Sequence, residues 1–255
     1  MTVQTVLDFL WELAPVKYKM PWDNVGLLLG RRDATVSRVL VALDATADVA
    51  DEAAALGCQL VVTHHPVIFQ AVGHLTDADP MTETALTLLE RGIAVISMHT
   101  NLDCAPGGVN DVLAERLDLR NPAVLHDGET AGLLRAGEVA PAALSVFAAF
   151  VKERLACEGL RFVDAGKTVH RVAVGGGACA DFIPLAVENG CDTLVTADVK
   201  YHAFQEARIR GLNLIDAGHF ETENPVCLLL RDKLAAAFPQ IEVILSQHGD
   251  WIRFF

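Results

Sequence analysis

The sequence of 255 residues contains no Cys-x-x-Cys pair, although it has six cysteines. They lie far apart along the chain, at positions 58, 104, 157, 179, 191 and 227. This spacing argues against a zinc ribbon and against a disulfide framework, which are recognised by recurring short cysteine spacings. We therefore expect reduced, buried cysteines that pack as small apolar side chains.

Long apolar runs are also lacking. The apolar, nearly uncharged stretch VAPAALSVFAAFV at 139–151 is well short of the roughly 20 apolar residues of a membrane-spanning helix. The first residues, MTVQTVLDFLWELAP, have no basic signal-peptide region and carry Asp8 and Glu12 on an amphipathic pattern, which predicts a first helix. We expect no membrane association and a cytoplasmic protein.

Basic residues are scarce, with 20 Lys and Arg against 33 Asp and Glu and a formal net charge of −13. The basic residues form no local cluster. Because such a chain repels a phosphate backbone, we expect no binding to duplex nucleic acid. A nucleotide or other anionic small molecule would need positive charge from another source, and a bound metal is the natural one.

What the sequence does contain is an alternation of short β-branched runs and helical stretches. The first series has strand patterns at 38–44, 59–63 and 93–98, and the second has them at 170–176, 191–196, 211–216 and 241–246. Such alternation is typical of βαβ units, whose buried strands pair in parallel. We predict an α/β protein of two similar lobes, with mostly parallel sheets around a central metal cleft.

The two series also coincide in sequence at an offset of 133 residues. The identical positions include Arg38, Val39, Val41, Gly57, Cys58 and Thr63, which match Arg171, Val172, Val174, Gly190, Cys191 and Thr196 without a gap. Chance within a shared βαβ pattern explains this as well as a repeat does. We predict lobes at 1–124 and 125–255, with a C-terminal segment that returns to the first lobe.

Polar side chains follow the predicted strands at their carboxyl ends, where parallel sheets place ligands. LVVTHHPVIF at 60–69 delivers His64 and His65 to such an end, and Pro66 favours an extended backbone that would make the two side chains diverge. Hydrogen-bonded turn histidines are the alternative. The next strand ends in a polar, glycine-rich loop at 99–111 that offers His99 and Asp103, unless Asp103 only orders the loop.

In the second series, AGHFETENP at 217–225 places His219 and Glu223 four residues apart, on one face if the segment is helical. Glu221 would then point elsewhere. Pro225 could instead confine the segment to a turn, and exposed His–Glu pairs are common on helices. Imidazole and carboxylate together suit zinc, iron or manganese at an open catalytic site. Five donors exceed one tetrahedral site and would serve two ions.

Three further motifs have a functional and a structural interpretation. WDNVGLLLG at 22–30 could contact a ligand, but a turn capped by Asp and Asn explains it too. The glycines at 174–178 could bind an anion or form a tight turn. Lys200 and His202 follow a strand end and could contact substrate, or they could simply begin a surface helix.

Five stretches together resemble the GTP cyclohydrolase 1 type 2 homologues, also called Ngg-interacting-factor-like proteins: WDNVGLLLG, VVTHHPVIF, HTNLD, DTLVTADVKYH and GHFETE. They occur in the right order across nearly the whole chain. The resemblance implies a dinuclear metal site at His64, His65, Asp103, His219 and Glu223. It also implies two similar α/β lobes and a toroidal homo-hexamer.

The expected function is that of a hydrolase with two divalent ions, such as a GTP cyclohydrolase-type enzyme that opens the guanine ring at C8 and releases formate. Glu221 and His99 are the candidates for proton transfer. Phosphoester hydrolysis at the same site is an alternative. Others are a non-catalytic metal-binding scaffold or chaperone, and a regulatory adaptor.

Overall fold

A computed structural model of the chain describes residues 1–126, 128 and 132–255. Its strands are β1 (Gly26–Leu29), β2 (Arg38–Ala42), β3 (Leu60–Thr63), β4 (Ala94–Ser97), β5 (Arg120–Val124), β6 (Arg135–Ala142), β7 (Arg161–Val163), β8 (Val169–Val174), β9 (Thr193–Thr196), β10 (Asn213–Asp216) and β11 (Glu242–Leu245). Its α-helices are α1 (Val3–Leu13), α2 (Ala47–Ala55), α3 (Pro80–Glu90), α4 (Thr100–Cys104), α5 (Val109–Arg116), α6 (Leu144–Leu155), α7 (Ile183–Glu188), α8 (Tyr201–Arg210), α9 (His219–Glu223) and α10 (Pro225–Ala237).

The chain divides into two compact units. Unit 1 comprises residues 1–105 and 226–249, and unit 2 comprises residues 106–225 and 250–255. The chain thus passes between the units at three points, whereas the sequence pattern predicts a single division at 124/125. Helix α10 and strand β11 lie in unit 1 apart from the first residue of α10.

Unit 1 is built on a five-stranded sheet in the order β1-β4-β3-β2-β11. The neighbouring pairs among β4, β3, β2 and β11 are parallel, and β1 is an antiparallel edge strand on β4. Every residue of β3 and β4 is buried, as expected of parallel strands that are covered on both faces. Helices α2 and α3 connect these strands, and their apolar residues join the strands in one core.

Unit 2 is built on a six-stranded sheet in the order β5-β6-β8-β9-β10-β7. Its centre, β8-β9-β10, is parallel, and antiparallel strands flank it on both sides. Two apolar clusters, one containing α5 and α6 residues and the other α7 and α8 residues, cover this sheet. The prediction of an α/β protein with two similar sheet-and-helix lobes is confirmed.

One local prediction and one alternative interpretation differ from the structure. The segment at 99–111 is not all loop, because Thr100–Cys104 forms α4. Pro225 does not confine the preceding segment to a turn either: α9 ends at Glu223, and the proline begins α10, where its missing N–H costs no helical hydrogen bond. Among the described residues, no helix combines the length and apolar character that crossing a membrane requires.

Candidate metal centre

The first donor of unit 1 is His64, directly after β3. Its side chain is fully buried, and its Nδ1 lies 2.7 Å from the carbonyl oxygen of Met98, the residue after β4. Because a carbonyl oxygen can only accept a hydrogen bond, Nδ1 carries the ring proton and donates it. Nε2 lies 3.4 Å from Oδ1 of Asp103 and bears a lone pair when the ring is neutral.

The second donor, His65, is held by a carboxylate. Its Nδ1 lies 2.7 Å from Oδ1 of Asp44, which follows β2. The prediction that the two side chains diverge is wrong for the rings, whose centroids are 5.0 Å apart at 45°. The Nδ1 atoms of His64 and His65 turn towards the strands on opposite sides of β3, and this rotation leaves the rings side by side.

His99 joins the same group. It precedes α4, and its Nδ1 lies 2.8 Å from Oδ1 of Asp23. One ring nitrogen each of His64, His65 and His99 lies within 4.8 Å of the others. The sequence predicted His99 as a proton-transfer residue, and the structure places it in contact with the histidine pair of its own unit.

Asp23 is a buried carboxylate that fixes both His99 and the start of α4. It accepts hydrogen bonds from the backbone N–H of Thr100 at 3.0 Å and from the Thr100 hydroxyl. Burial alone would raise the pKa of Asp23, but the hydrogen bonds from His99 and Thr100 outweigh this effect and lower it to about 2. Asp23 is therefore ionised at neutral pH. The turn predicted for this segment is present, and its carboxylate also orients a histidine.

In unit 2, His219 and Glu223 lie four residues apart on α9, as predicted. Nε2 of His219 is 2.9 Å from Oε2 of Glu223, and Nδ1 of the same ring is 2.8 Å from Oδ2 of Asp198. Glu223 is buried, with 4% of its surface exposed, so the pair is not the exposed helix-surface pair that the sequence also allowed. Asp198 has a left-handed backbone, with φ of 53°.

The glycine loop at 174–178 supports this helix. Gly177 has φ of 62°, and a β-carbon there would lie 2.2 Å from Oε1 of Glu223. Its N–H donates to the hydroxyl of Thr222 on α9 at 3.1 Å, and the N–H of Gly176 donates to Asn110 at 2.7 Å. Close approach of the backbone to α9, together with a turn, explains why these positions are glycine.

Glu221 and His219 both line a cavity of about 240 Å³ in unit 2. Arg161 and Asp216 form an ion pair in its wall. Burial raises the pKa of Glu221, and the nearby charges of Asp250, Glu158 and Asp216 add to this effect. Glu221 thus borders the same cavity as His219, whereas Nε2 of His219 lies beside Glu223.

The sequence interpretation missed the partners that orient the histidines. Asp44 and Asp198 each stand two residues beyond a parallel strand, and an acid at that position is more commonly a turn residue. Lys200 and His202, in contrast, are exposed at the start of α8. For these two residues, the structure agrees with the surface-helix interpretation.

These contacts suit metal binding. A histidine that ligates a metal usually donates its second ring N–H to a carboxylate or carbonyl, which fixes the ring and its tautomer. Such a partner is present for His64, His65 and His219. In two of them the remaining lone pair faces a carboxylate oxygen, and two acceptors at 2.9 or 3.4 Å repel each other unless a proton or a cation lies with them. The described groups of imidazole and carboxylate could each hold a metal ion.

Comparison with known proteins finds similar sequences that match nearly the whole chain. The family model of Duf34/NIF3 (NGG1p interacting factor 3) matches residues 1–250. A "GTP cyclohydrolase 1 type 2 homolog" of Clostridium perfringens is 31% identical over 98% of this chain and 97% of its own length. A protein of the same name from Streptomyces coelicolor is 37% identical over 97% and 87%.

Solved structures agree with this result. The Staphylococcus aureus protein SA1388 superposes with a TM-score of 0.92 at 29% identity and covers 100% of this chain and 99% of its own. Reduced HcgD from Methanocaldococcus jannaschii gives a TM-score of 0.85 at 27% identity, over 97% and 98%. The chain therefore belongs to the Duf34/NIF3 family.

Proposed function

We propose that the protein is a divalent-metal-dependent hydrolase in which five side chains hold two ions: His64, His65, Asp103, His219 and Glu223. The observation that carries the proposal is the approach of His219 Nε2 to Oε2 of Glu223 at 2.9 Å, while the other ring nitrogen lies 2.8 Å from Oδ2 of Asp198. When the ring is neutral, Nε2 and Oε2 are both acceptors. A cation between these two acceptors would relieve their repulsion. His64 and Asp103 repeat the arrangement in unit 1 at 3.4 Å.

The donor set narrows the choice of metal. Three imidazoles and two carboxylates, without a cysteine, suit zinc, iron or manganese. A structural zinc ion is usually closed off by four protein ligands. Five donors shared by two ions would leave coordination positions open, as a catalytic site requires. The formal net charge of −13 also makes bound cations the natural anchor for an anionic substrate.

Divalent ions, when bound, acidify water and polarise the group that it attacks. The chain itself supplies proton transfer. His99 donates from Nδ1 to ionised Asp23, so Nε2 is its basic atom and accepts the proton of the attacking water. Glu221, whose pKa burial raises, protonates the leaving nitrogen from within its cavity.

We propose a guanine nucleotide as the substrate. The support is the name of the curated relatives, "GTP cyclohydrolase 1 type 2 homolog". In the proposed reaction, two water molecules cleave the bonds from C8 to N7 and N9, and formate and a diaminopyrimidine are the products. Release of phosphate instead of formate would identify a phosphoesterase at the same site.

The test combines metal content with product analysis. Wild type is expected to hold two equivalents of metal per chain after reconstitution with manganese or zinc, and Glu223→Gln at most one, with loss of formate release. Glu206→Gln, a partly exposed acid in α8 that pairs with Arg210, is the control and should keep both. Two retained ions in Glu223→Gln, or none in wild type, would contradict the metal site. Two ions without turnover would leave a metal-binding scaffold.

We also propose that the protein assembles as a homo-hexameric ring, on the family resemblance. Tyr201 and Ile209 on α8 support a contact between copies, because they are 78% and 86% exposed. Phe162 on the neighbouring strand β7 is a further exposed apolar residue, at 47%. Sedimentation should give about 164 kDa for six chains of 27.4 kDa, and a monomer mass would refute the ring.

A further inference from the structure

Two large aromatic side chains of unit 1 stand exposed beside its histidines. Trp22 is 61% exposed and Phe69 is 40% exposed, and their ring centroids are 5.6 Å apart at 54°. His99 lies edge-on to both, at 6.1 Å from Trp22 and 5.9 Å from Phe69. We call Trp22 and Phe69 the aromatic platform. It adjoins the histidine cluster through His99, whose ring is 5.3 Å from His64 and 5.6 Å from His65.

Hydrogen bonds stabilise the two chain segments that carry the aromatic platform. Nδ2 of Asn24, two residues after Trp22, donates to the carbonyl of Ile68, the residue before Phe69, at 2.7 Å. Nζ of Lys19 donates to the carbonyl of Asp23 at 2.8 Å. The first bond joins the two segments that carry the rings, and the second lies within the segment of Trp22.

Core packing does not explain such exposure, because a tryptophan stabilises a fold by burying its large apolar surface. Exposed aromatic pairs with a polar border are a usual feature of ligand-binding sites. An aromatic face also binds a flat heterocycle without regard to charge. This matters in a protein of net charge −13, because stacking is a source of affinity that repulsion of the substrate's phosphates does not oppose.

We propose that the aromatic platform is the binding subsite for the purine base of the substrate, which stacks on Trp22, the more exposed ring, and contacts the inclined ring of Phe69, with its edge towards His99. The proposal rests on the hydrolase function proposed above and specifies how that site selects a planar heteroaromatic substrate. Contact with the platform places a bound ring next to His99. The same residue is the proposed proton acceptor, so recognition and chemistry meet at one side chain.

The experiment measures binding and not turnover. Guanosine, adenosine and ribose 5-phosphate are titrated by calorimetry into metal-loaded wild type, Trp22→Ala, Trp22→Tyr and Phe69→Ala. The two nucleosides should bind about 5- to 150-fold more weakly to Trp22→Ala, as loss of a stacking partner predicts. Trp22→Tyr should restore most of the affinity, and ribose 5-phosphate should be unaffected. Trp251→Ala removes an equally exposed tryptophan, at 68%, and should behave as wild type.

Unchanged nucleoside affinity in both Trp22→Ala and Phe69→Ala would overturn the subsite. An equal loss for ribose 5-phosphate would overturn it too, because the effect would not concern the base. If Trp22→Ala changes the sedimentation mass and leaves guanosine binding intact, the platform is a contact between copies of the chain. Guanosine binding that depends on Trp22, in a protein that releases neither formate nor phosphate, would refute the hydrolase and leave the subsite standing.

Discussion

Replacement of Asp198 by asparagine tests whether the carboxylates behind the histidines serve metal binding. Asp198 accepts the Nδ1 proton of His219 at 2.8 Å, and its φ of 53° lies in the left-handed region. Asparagine tolerates that region better than other residues with a β-carbon, whereas alanine would add about 1 kcal/mol of strain. Asp198→Asn therefore removes the charge and keeps the backbone.

The structure predicts a small effect of Asp198→Asn on the free energy of unfolding and a larger effect on metal affinity. The side chains of His219 and Asp198 are 33% and 56% exposed, so their ion pair contributes only about 0–1 kcal/mol to the free energy of unfolding. Loss of a carboxylate behind a metal-ligating histidine typically weakens metal affinity by about 10- to 100-fold, or roughly 1.4–2.7 kcal/mol. The effect on metal binding should therefore exceed the effect on stability.

The assay is a chelator competition with zinc, together with thermal unfolding of the metal-free protein. Asp198→Asn should lose at least about tenfold in zinc affinity at one site, while the melting temperature without metal changes by no more than about 4 °C. Asp181→Asn, an exposed acid of the same unit, should match wild type in both measurements. Wild-type zinc affinity in Asp198→Asn would refute the role assigned to this carboxylate. A fall in melting temperature alone would make the contact structural.

Two further predictions concern buried titratable groups. The pKa of Asp23 is lowered from 3.8 to about 2. Ionisation of Asp23 therefore stabilises the fold by about 2 kcal/mol above about pH 4, and this stabilisation is lost as the pH falls through 2. The free energy of unfolding of Asp23→Asn should fall less steeply than that of wild type between pH 4 and pH 2, and equal slopes would contradict the prediction. Burial raises the pKa of the Cys157 thiol to about 12 and those of Cys58 and Cys191 to about 11. These three thiols should not react with Ellman's reagent at pH 8 until guanidinium unfolds the protein, and rapid reaction of the native protein would count against their burial.

The central strands and the helices that connect them were predictable because the hydrophobic pattern of each lies within its own segment of sequence. The run at 59–63 predicts a buried strand, and β3 occupies Leu60–Thr63 with every residue buried. The strand pattern at 211–216 likewise contains β10, Asn213–Asp216. Strand ends were equally informative, because parallel sheets gather the residues that follow their strands. For this reason His64, His65 and His219 could be proposed as donors from the sequence.

Helix α4 could not be predicted, and its cap shows why. Five residues are too few for a stable isolated helix, and His99 at its N-cap makes no side-chain capping bond. Its first N–H, from Thr100, instead donates to Asp23, 77 residues earlier in the chain. A cap from so far away leaves no pattern in the segment itself. The helix that carries Asp103 therefore looked like a loop.

The carboxylates that contact the histidines are also distant from them in sequence, but their positions relative to the strands follow a regular pattern. Asp44 and Asp198 each stand two residues beyond a strand, after β2 and β9. His65 and His219 stand two and three residues beyond the next strands, β3 and β10. Both pairs are 21 residues apart. In each case one βαβ unit, with its strands parallel and in register, brings the acid of one strand end to the histidine of the next.

The strands and the acid–histidine pairs both recur in the chain, but at different offsets. The offset of 133 residues aligns β3 with β9, and it therefore aligns His65 with Asp198 and not with His219. The identities at that offset named above belong to strands and turns, whereas the acid–histidine pair recurs one strand later in unit 2. A sheet edge with parallel strands offers equivalent positions after each strand, so a donor pair can move along the edge without a change of geometry. Similarity of the scaffold thus does not determine which strand ends bear the donors, and the donors had to be identified from their own chemistry.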